Sequence, residues 1–112
     1  NNGIDEILNA QKTFENPNPN KLYNLLYPRY QKGLGTTYHK GWLLFDQFLV
    51  TGNLLSHDKT FCSPQDADIF NPKYLLYINK NGETKPDRTY SKKYTGGYSD
   101  HLPVYLQLTL KD

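Results

Sequence analysis

The chain contains two long runs of hydrophobic residues, and each predicts a strand. Residues 42–51 read WLLFDQFLVT, and both alternating sets of positions in this run are mostly apolar. Such a pattern is typical of a central strand that is covered on both faces. A β-prone stretch at 36–39 precedes the run, with Lys40-Gly41 in between, so we expect an antiparallel hairpin that turns at these two residues.

The second run, residues 102–110, alternates between aliphatic and other side chains. This period of two predicts a strand with one strongly apolar face. The aliphatic face consists of Leu102, Val104, Leu106, Leu108 and Leu110.

Weaker signals predict short helices and turns elsewhere. Helical spacing predicts a helix over 4–12 and another from Asn20, which should end near Tyr27 because Pro28 disfavours helical geometry in the residue before it. The remaining predictions are a loop over 52–65, a short strand over 67–70, a helix that starts at Asn71-Pro72 before 74–77, and a turn over 80–83.

Length and composition favour one folded domain. The chain has 112 residues, of which 37% are hydrophobic and 21% are charged, a composition typical of globular proteins. We therefore predict a single domain over residues 1–112 with an α+β fold, built mostly from antiparallel sheet with short helices. No run approaches the roughly 18 apolar residues that a membrane-spanning helix needs, so we expect no membrane span.

Charge and cysteine content exclude further classes. A formal net charge of +2 is too small to indicate a nucleic-acid-binding protein by itself. Cys62 is the only cysteine, so the chain has no intrachain disulfide and no cysteine-based zinc site. The sequence has no methionine, even at position 1, from which we expect a processed chain or part of a longer one, and localisation stays open.

The ten tyrosines allow two interpretations. They can provide amphipathic packing and hydrogen bonds at the edges of a small core. Alternatively they can form a stacking surface, which would make the chain a non-catalytic, tyrosine-rich module that binds carbohydrate or protein.

Three side chains are candidates for chemistry. Asp46 interrupts an apolar run, and a buried carboxylate needs a partner, whether structural or catalytic. Asp100 and His101 lie together in GGYSDHLPV, residues 96–104, where glycines allow the backbone to approach a ligand closely. A carboxylate can fix a histidine ring in one tautomer, and a second carboxylate can hold a hard cation. An exposed loop pair is the alternative for Asp100 and His101.

Three segments together point to a family. Residues 99–104 read SDHLPV, residues 35–38 read GTTY and residues 43–48 read LLFDQF. In sequence and in order they resemble the endonuclease/exonuclease/phosphatase superfamily, whose fold is that of deoxyribonuclease I. Its C-terminal signature is Ser-Asp-His, a small or apolar residue, Pro and an aliphatic residue, and its earlier segments are a Gly-Thr strand and an apolar strand with an embedded Asp. These segments are particularly similar to those of uncharacterised bacterial members.

The resemblance implies a metal-dependent phosphoester hydrolase of the nuclease or phosphatase type. It implies that His101 is the active-site histidine at the scissile phosphate and that Asp46 orients its ring. Asp100 would bind Mg²⁺ or Mn²⁺, directly or through water. The substrate would be a nucleic acid or a small phosphorylated molecule, and Gln47, which replaces the Tyr or His of many members, leaves that choice open.

The resemblance also implies that the chain is the C-terminal portion of a four-layer α/β sandwich, without the superfamily's upstream motifs. We therefore expect the chain alone to be inactive. Its expected partner is the missing N-terminal part of the same domain. Apolar faces should then be exposed, or covered in a homodimer.

Other charged and aromatic residues receive weaker assignments. A basic cluster just before the signature can attract a phosphate-bearing substrate or can simply be a solvated loop. This cluster consists of Lys85, Arg88, Lys92 and Lys93. His39 and His57 have no metal-ligand spacing and are expected at the surface, whereas Trp42 is expected in the core.

Overall fold

The sheet structure is built from short strands. The computed structural model describes residues 3–90 and 92–111, and within these ranges ten strands are formed. The strands are β1 (Leu22–Asn24), β2 (Thr37–Tyr38), β3 (Trp42–Leu43), β4 (Leu49–Thr51), β5 (Thr60–Phe61), β6 (Ala67–Ile69), β7 (Leu76–Ile78), β8 (Thr84–Pro86), β9 (Val104–Leu106) and β10 (Thr109–Leu110).

These strands pair into five antiparallel, two-stranded ladders. The pairs are β1 with β4, β2 with β3, β5 with β10, β6 with β9, and β7 with β8. Helical segments are short: α1 spans Tyr27–Gln31, a π-helical turn spans Gly3–Ile7, and 3₁₀ turns span Gly52–Leu55, Pro64–Asp66 and Lys73–Leu75. The predicted strand-rich α+β architecture is therefore confirmed, and the four-layer sandwich stays a prediction.

A small hydrophobic core lies between the ladders. Its buried members are Tyr23, Leu25, Leu26, Val50, Leu55, Cys62, Ala67, Ile69 and Leu102. Trp42, which was expected in the core, is partly buried and packs against this cluster. Burial, with a smaller contribution from Asp66, raises the pKa of the Cys62 thiol, so this cysteine behaves as a core residue.

The helix predicted from Asn20 to Tyr27 is wrong. Residues 22–24 form β1, which pairs with β4 and places Tyr23 opposite Val50. Four consecutive side chains, 23–26, are buried, and a helix could not turn all four toward one core. The helix begins where it was expected to end: Pro28 lies in the first turn of α1, where a missing N–H costs no intrahelical hydrogen bond.

Two other predicted helices are shorter than expected. The segment predicted over 4–12 contains only the π-helical turn Gly3–Ile7. The one predicted from Asn71-Pro72 is a single 3₁₀ turn, Lys73–Leu75, after which the chain enters β7. In β7 the residues pair with β8 rather than continue a helix, and so few residues cannot sustain a helix by themselves.

The predicted hairpin is confirmed, but the long central strand is wrong. Tyr38 pairs with Trp42, and the turn contains Lys40 and Gly41, both with positive φ. The strand predicted from the run 42–51 is interrupted, since β3 ends at Leu43 and β4 begins at Leu49. The residues between them leave the ladder, and the side chain of Asp46 is partly exposed, at 39%, instead of buried.

The remaining predictions concern a turn, a loop and two strands. The turn over 80–83 joins β7 to β8, and the short strand over 67–70 is β6. The predicted loop at 52–65 contains β5 and two of the 3₁₀ turns. The last predicted strand is divided into β9 and β10, and its apolar face is buried only at its start: Leu102 is 4% exposed, whereas Leu110 is 77% exposed.

The tyrosines lie mostly outside the core. Tyr23 is the tyrosine in the buried cluster, and seven others are among the exposed large side chains, namely Tyr30, Tyr74, Tyr77, Tyr90, Tyr94, Tyr98 and Tyr105. Core packing therefore explains only a small part of the tyrosine content.

Candidate active site

The structure brings Asp46 and His101 into direct contact. His101 Nδ1 lies 2.6 Å from Asp46 Oδ2, and both side chains are 39% exposed. A carboxylate can only accept a hydrogen bond, so Nδ1 carries the proton and donates. Nε2 has no partner among the described residues and is the ring atom that remains free to meet a substrate. The predicted contact between these residues is therefore confirmed.

Thr36 holds the backbone that carries Asp46. This threonine is fully buried, and its Oγ1 accepts hydrogen bonds from the amides of Phe45, at 3.0 Å, and Asp46, at 3.1 Å. Because Leu44–Phe48 has left the ladder, these amides would otherwise lack a protein partner. Thr36 is therefore a positioning residue that the sequence does not single out, beyond its place in the GTTY segment.

Gly35 permits the close approach that Thr36 needs. A Cβ at position 35 would lie 2.7 Å from the carbonyl oxygen of Leu43 and 2.9 Å from Cβ of Trp42. Only a glycine leaves room for β3 at this distance. The Gly-Thr pair therefore brings β2, β3 and the Asp46 segment together.

His101 is fixed by the other side of β2. Thr37 and His101 form an antiparallel bridge, and the Leu102 amide donates to the Thr36 carbonyl at 2.7 Å. Thr37 Oγ1 donates to the carbonyl of Asp100 at 2.8 Å. Burial of Leu102 anchors the segment to the core. Thr36, just before β2, and Thr37, in β2, thus hold the segments that carry Asp46 and His101.

Gly97 fixes the approach to the signature. A Cβ there would overlap the carbonyl oxygen of Asp87, which no other residue could tolerate. The Gly97 amide donates to the carbonyl of Arg88, and Thr89 Oγ1 donates to the carbonyl of Gly97 at 2.9 Å. The glycine therefore serves close backbone packing between 87–89 and the loop before His101, a more specific role than approach to a ligand.

Gln47 stabilises the interruption beside Asp46. Its amide Nε2 donates to the carbonyl of Leu44 at 2.8 Å, and its Oε1 accepts from Asn24 Nδ2 at 2.5 Å. Asn24 is 4% exposed and lies in β1. Gln47 therefore has a local structural role, and Asn24 is a second positioning residue that the sequence pattern does not indicate.

Asp100 fits one ligand of a hard cation but does not complete a metal site. It is exposed, and its carboxylate has no partner among the described residues. Within residues 3–90 and 92–111, no three His, Cys, Asp or Glu side chains are grouped as a metal site would require. Mg²⁺ commonly binds through one or two carboxylates together with substrate phosphates. The described residues therefore do not form a complete metal site by themselves.

The predicted basic cluster forms a pocket with the tip of the β2–β3 hairpin. This basic pocket is lined by Tyr38, His39, Lys40, Tyr77, Lys85, Pro86, Asp87, Arg88, Lys92, Lys93 and Thr95. Lys40, His39 and the tyrosines were not part of the sequence prediction, because only folding of the hairpin brings them to the cluster.

Hydrogen bonding orders one wall of the basic pocket. The Tyr38 hydroxyl donates to the carboxylate of Glu83. This bond raises the pKa of Tyr38 and lowers that of Glu83, and the nearby Lys85 lowers the Glu83 pKa further. Lys85 Nζ lies 5.0 Å from the centre of the Tyr38 ring, within range of a cation–π interaction.

The other two histidines are exposed, as predicted. His57 packs its ring against Phe61, with centroids 4.7 Å apart. His39 lies in the hairpin turn beside Lys40. Neither belongs to a metal-ligand group in the described part of the chain. No helix there is long and apolar enough to span a membrane.

Comparison with known proteins agrees with the motifs. Residues 1–110 match the Endonuclease/Exonuclease/phosphatase family. No curated protein and no solved structure matches the chain. The family match covers nearly the whole sequence and supports a hydrolase of the phosphoesterase kind. With the GTTY, LLFDQF and SDHLPV segments now placed around one pair of side chains, the chain belongs to the endonuclease/exonuclease/phosphatase family.

Proposed function

We propose that this chain contributes the histidine and its carboxylate partner to the active site of a metal-dependent phosphoester hydrolase. The observation that carries the proposal is the 2.6 Å contact between His101 Nδ1 and Asp46 Oδ2. The family match supports the class of reaction. The substrate is a phosphoester of a nucleic acid or of a small phosphorylated molecule.

The pair is suited to proton transfer at a phosphate. With Nδ1–H held by Asp46, Nε2 of His101 takes the proton of an attacking water, and the water oxygen bonds to phosphorus. The phosphorus–oxygen bond to the leaving group then breaks, and Nε2 returns the proton to the leaving oxygen. Asp46 keeps one tautomer in place and stabilises the ring while it is charged.

Asp100 is the residue that would hold a divalent cation, Mg²⁺ or Mn²⁺. Bound there, such an ion would stabilise the negative charge that develops on the phosphate oxygens. Since the chain offers a single exposed carboxylate next to the pair, further ligands would come from the substrate, from water or from other protein groups. We propose on this ground that the 112 residues alone are inactive.

The direct test is turnover of a generic phosphodiester with Mg²⁺ or Mn²⁺, in the longest form of the protein that contains these residues. We expect His101→Asn to lower kcat by about 10²–10⁴-fold, the usual contribution of a positioned general acid or base. Asp100→Asn should also abolish most turnover.

His57→Asn is the matched control, because His57 is exposed and lies in a different part of the fold. Asparagine tolerates the positive φ of 60° found at that position. Unchanged turnover in His101→Asn, or equal losses in both histidine variants, would exclude the proposed mechanism.

We also propose that the chain is the C-terminal portion of a four-layer α/β sandwich. The five separate two-stranded ladders support this, since strands in such pairs have one edge that the partner does not cover. An N-terminal portion of the same domain would then pair with these edges. In its absence, we propose a homodimer through the exposed apolar side chains.

A further inference from the structure

The basic pocket is a second feature of the surface, separate from the Asp46–His101 pair. Its volume is about 860 Å³, which is within the usual size of sites for small ligands. It lies between the tip of the β2–β3 hairpin and the chain that leads from β8 to the signature. Neither the family match nor the proposed mechanism assigns it a role.

Positive charge dominates the lining of the basic pocket. Five of the 13 lysines and arginines of the chain line it, against the single carboxylate of Asp87. The three ion pairs of the described residues join Lys12 to Asp5, Arg29 to Asp68 and His101 to Asp46, so none of them uses a pocket cation. The field in the pocket therefore favours an anion.

Three of the pocket lysines are uncompensated. Lys85 has the Glu83 carboxylate nearby and the Tyr38 ring beneath it. Lys40, Lys92 and Lys93 are exposed and have no acidic partner among the described residues. An ammonium group that is not already paired can donate to a phosphate oxygen without first losing another bond.

Arg88 adds a planar donor that is partly held in place. Its guanidinium lies 3.5 Å from the carbonyl oxygen of Tyr38, so its other N–H groups remain available. Its own carbonyl accepts from the Gly97 amide, which ties it to the loop before His101. An arginine in this position can bind two oxygens of one phosphate.

The basic pocket lies close to the catalytic pair through β2. Thr37 is bridged to His101, and the next residue, Tyr38, lines the pocket. One step along a strand and one step across a ladder place the backbone of Tyr38 within about 10 Å of that of His101. The basic pocket and the pair are therefore neighbours along β2.

We propose that the basic pocket binds a phosphate group of the substrate other than the one that is hydrolysed. The preferred substrate then carries at least two phosphate groups. This assignment rests on the proposed function, but anion binding by the pocket itself does not, and the two can be tested separately.

The first experiment measures binding of inorganic pyrophosphate to the chain by calorimetry or NMR. The variant Lys40→Gln/Lys92→Gln/Lys93→Gln removes the unpaired cations, and we expect its Kd to be at least about tenfold higher, since charged hydrogen bonds are lost. The control Lys21→Gln/Lys59→Gln/Lys111→Gln removes equal charge from exposed positions outside the pocket and should change Kd less than about twofold. His57→Asn, at an exposed histidine outside the pocket, should bind pyrophosphate as the unmodified chain does.

The second experiment compares two substrates in the form that hydrolyses phosphodiesters. For each protein we take kcat/KM for a short single-stranded oligonucleotide and divide it by kcat/KM for bis(p-nitrophenyl) phosphate. This ratio should fall at least about tenfold in the pocket variant, because KM for the oligonucleotide rises. Equal losses of pyrophosphate binding in the pocket and control variants, or an unchanged ratio, would overturn the inference. Saturable, pocket-dependent binding in a protein that hydrolyses neither substrate supports the anion site and overturns only the proposed function.

Discussion

At the scale of single residues, one threonine decides where the carboxylate of Asp46 lies. The Thr36 hydroxyl accepts two amide hydrogen bonds from the segment that carries Asp46, and the Thr36 carbonyl accepts the Leu102 amide beside His101. Thr36 therefore holds both segments of the pair in place. This explains how an interrupted strand can still present a carboxylate at hydrogen-bonding distance from a histidine 55 residues later.

We expect Thr36→Val to destabilise the chain and to weaken catalysis. The valine has a similar shape but cannot accept the amides of Phe45 and Asp46, and loss of a buried partner costs about 1–3 kcal/mol. Urea denaturation measures the free energy of unfolding, and phosphodiester turnover measures the effect on Asp46.

Thr36→Ser separates positioning from simple packing. Serine keeps the hydroxyl and loses one buried methyl group, which costs about 1 kcal/mol. We expect turnover to be largely retained in this variant and lost in Thr36→Val. Equal turnover in the two variants would show that the hydroxyl does not position Asp46.

The candidate pair could be predicted from sequence because its signal is chemical. Asp46 interrupts an apolar run, and the SDHLPV segment carries a recognisable motif. The supporting residues could not be predicted in the same way. Thr36 and Asn24 resemble ordinary strand residues. Thr36 binds the amides of Phe45 and Asp46, Asn24 binds the side chain of Gln47, and these contacts depend on the departure of Leu44–Phe48 from the ladder.

At the scale of elements, the secondary structure of several segments depends on the strand with which they pair and not on their local sequence pattern. The β2–β3 hairpin was predictable because its turn residues and its strands are neighbours in sequence. The identity of β1 was not, because its partner β4 lies more than 20 residues away and its short apolar run also fits a helix. Interruption of the central strand had no sequence signal beyond Asp46 itself.

The C-terminal strands show the same limit. A regular alternation over 102–110 predicts one continuous strand, but β9 pairs with β6 while β10 pairs with β5. Because the two parts of this run pair with different strands, they belong to two separate ladders. Periodicity alone contains no information about the number of partners.

At the scale of the whole molecule, the chain is more extended than a compact domain of its length. Its radius of gyration is 16.2 Å, whereas a compact chain of this length has about 13 Å. Its accessible surface is 7907 Å², compared with about 6,300 Å² for a monomer of this mass. The chain therefore exposes more surface than a compact monomer of its mass.

We expect the chain alone to associate with itself. Leu108, just before β10, is 48% exposed, and Leu110, in β10, is 77% exposed. Exposed apolar strand edges favour association. Sedimentation velocity across the micromolar range should show a dimer that increases with concentration. Leu108→Lys/Leu110→Lys should reduce it, and a monomer at every concentration in the unmodified chain would contradict the homodimer.

A double-mutant cycle on phosphodiester turnover, with Asp46→Ala, His101→Ala and both changes together, tests most directly whether Asp46 acts through His101. If the carboxylate acts through the ring, the double variant should lose no more than about threefold beyond His101→Ala alone, because residues that act as one unit are strongly non-additive. Losses that multiply, so that the double variant falls by the product of the two single effects, would show that Asp46 and His101 act independently and would contradict the proposed mechanism.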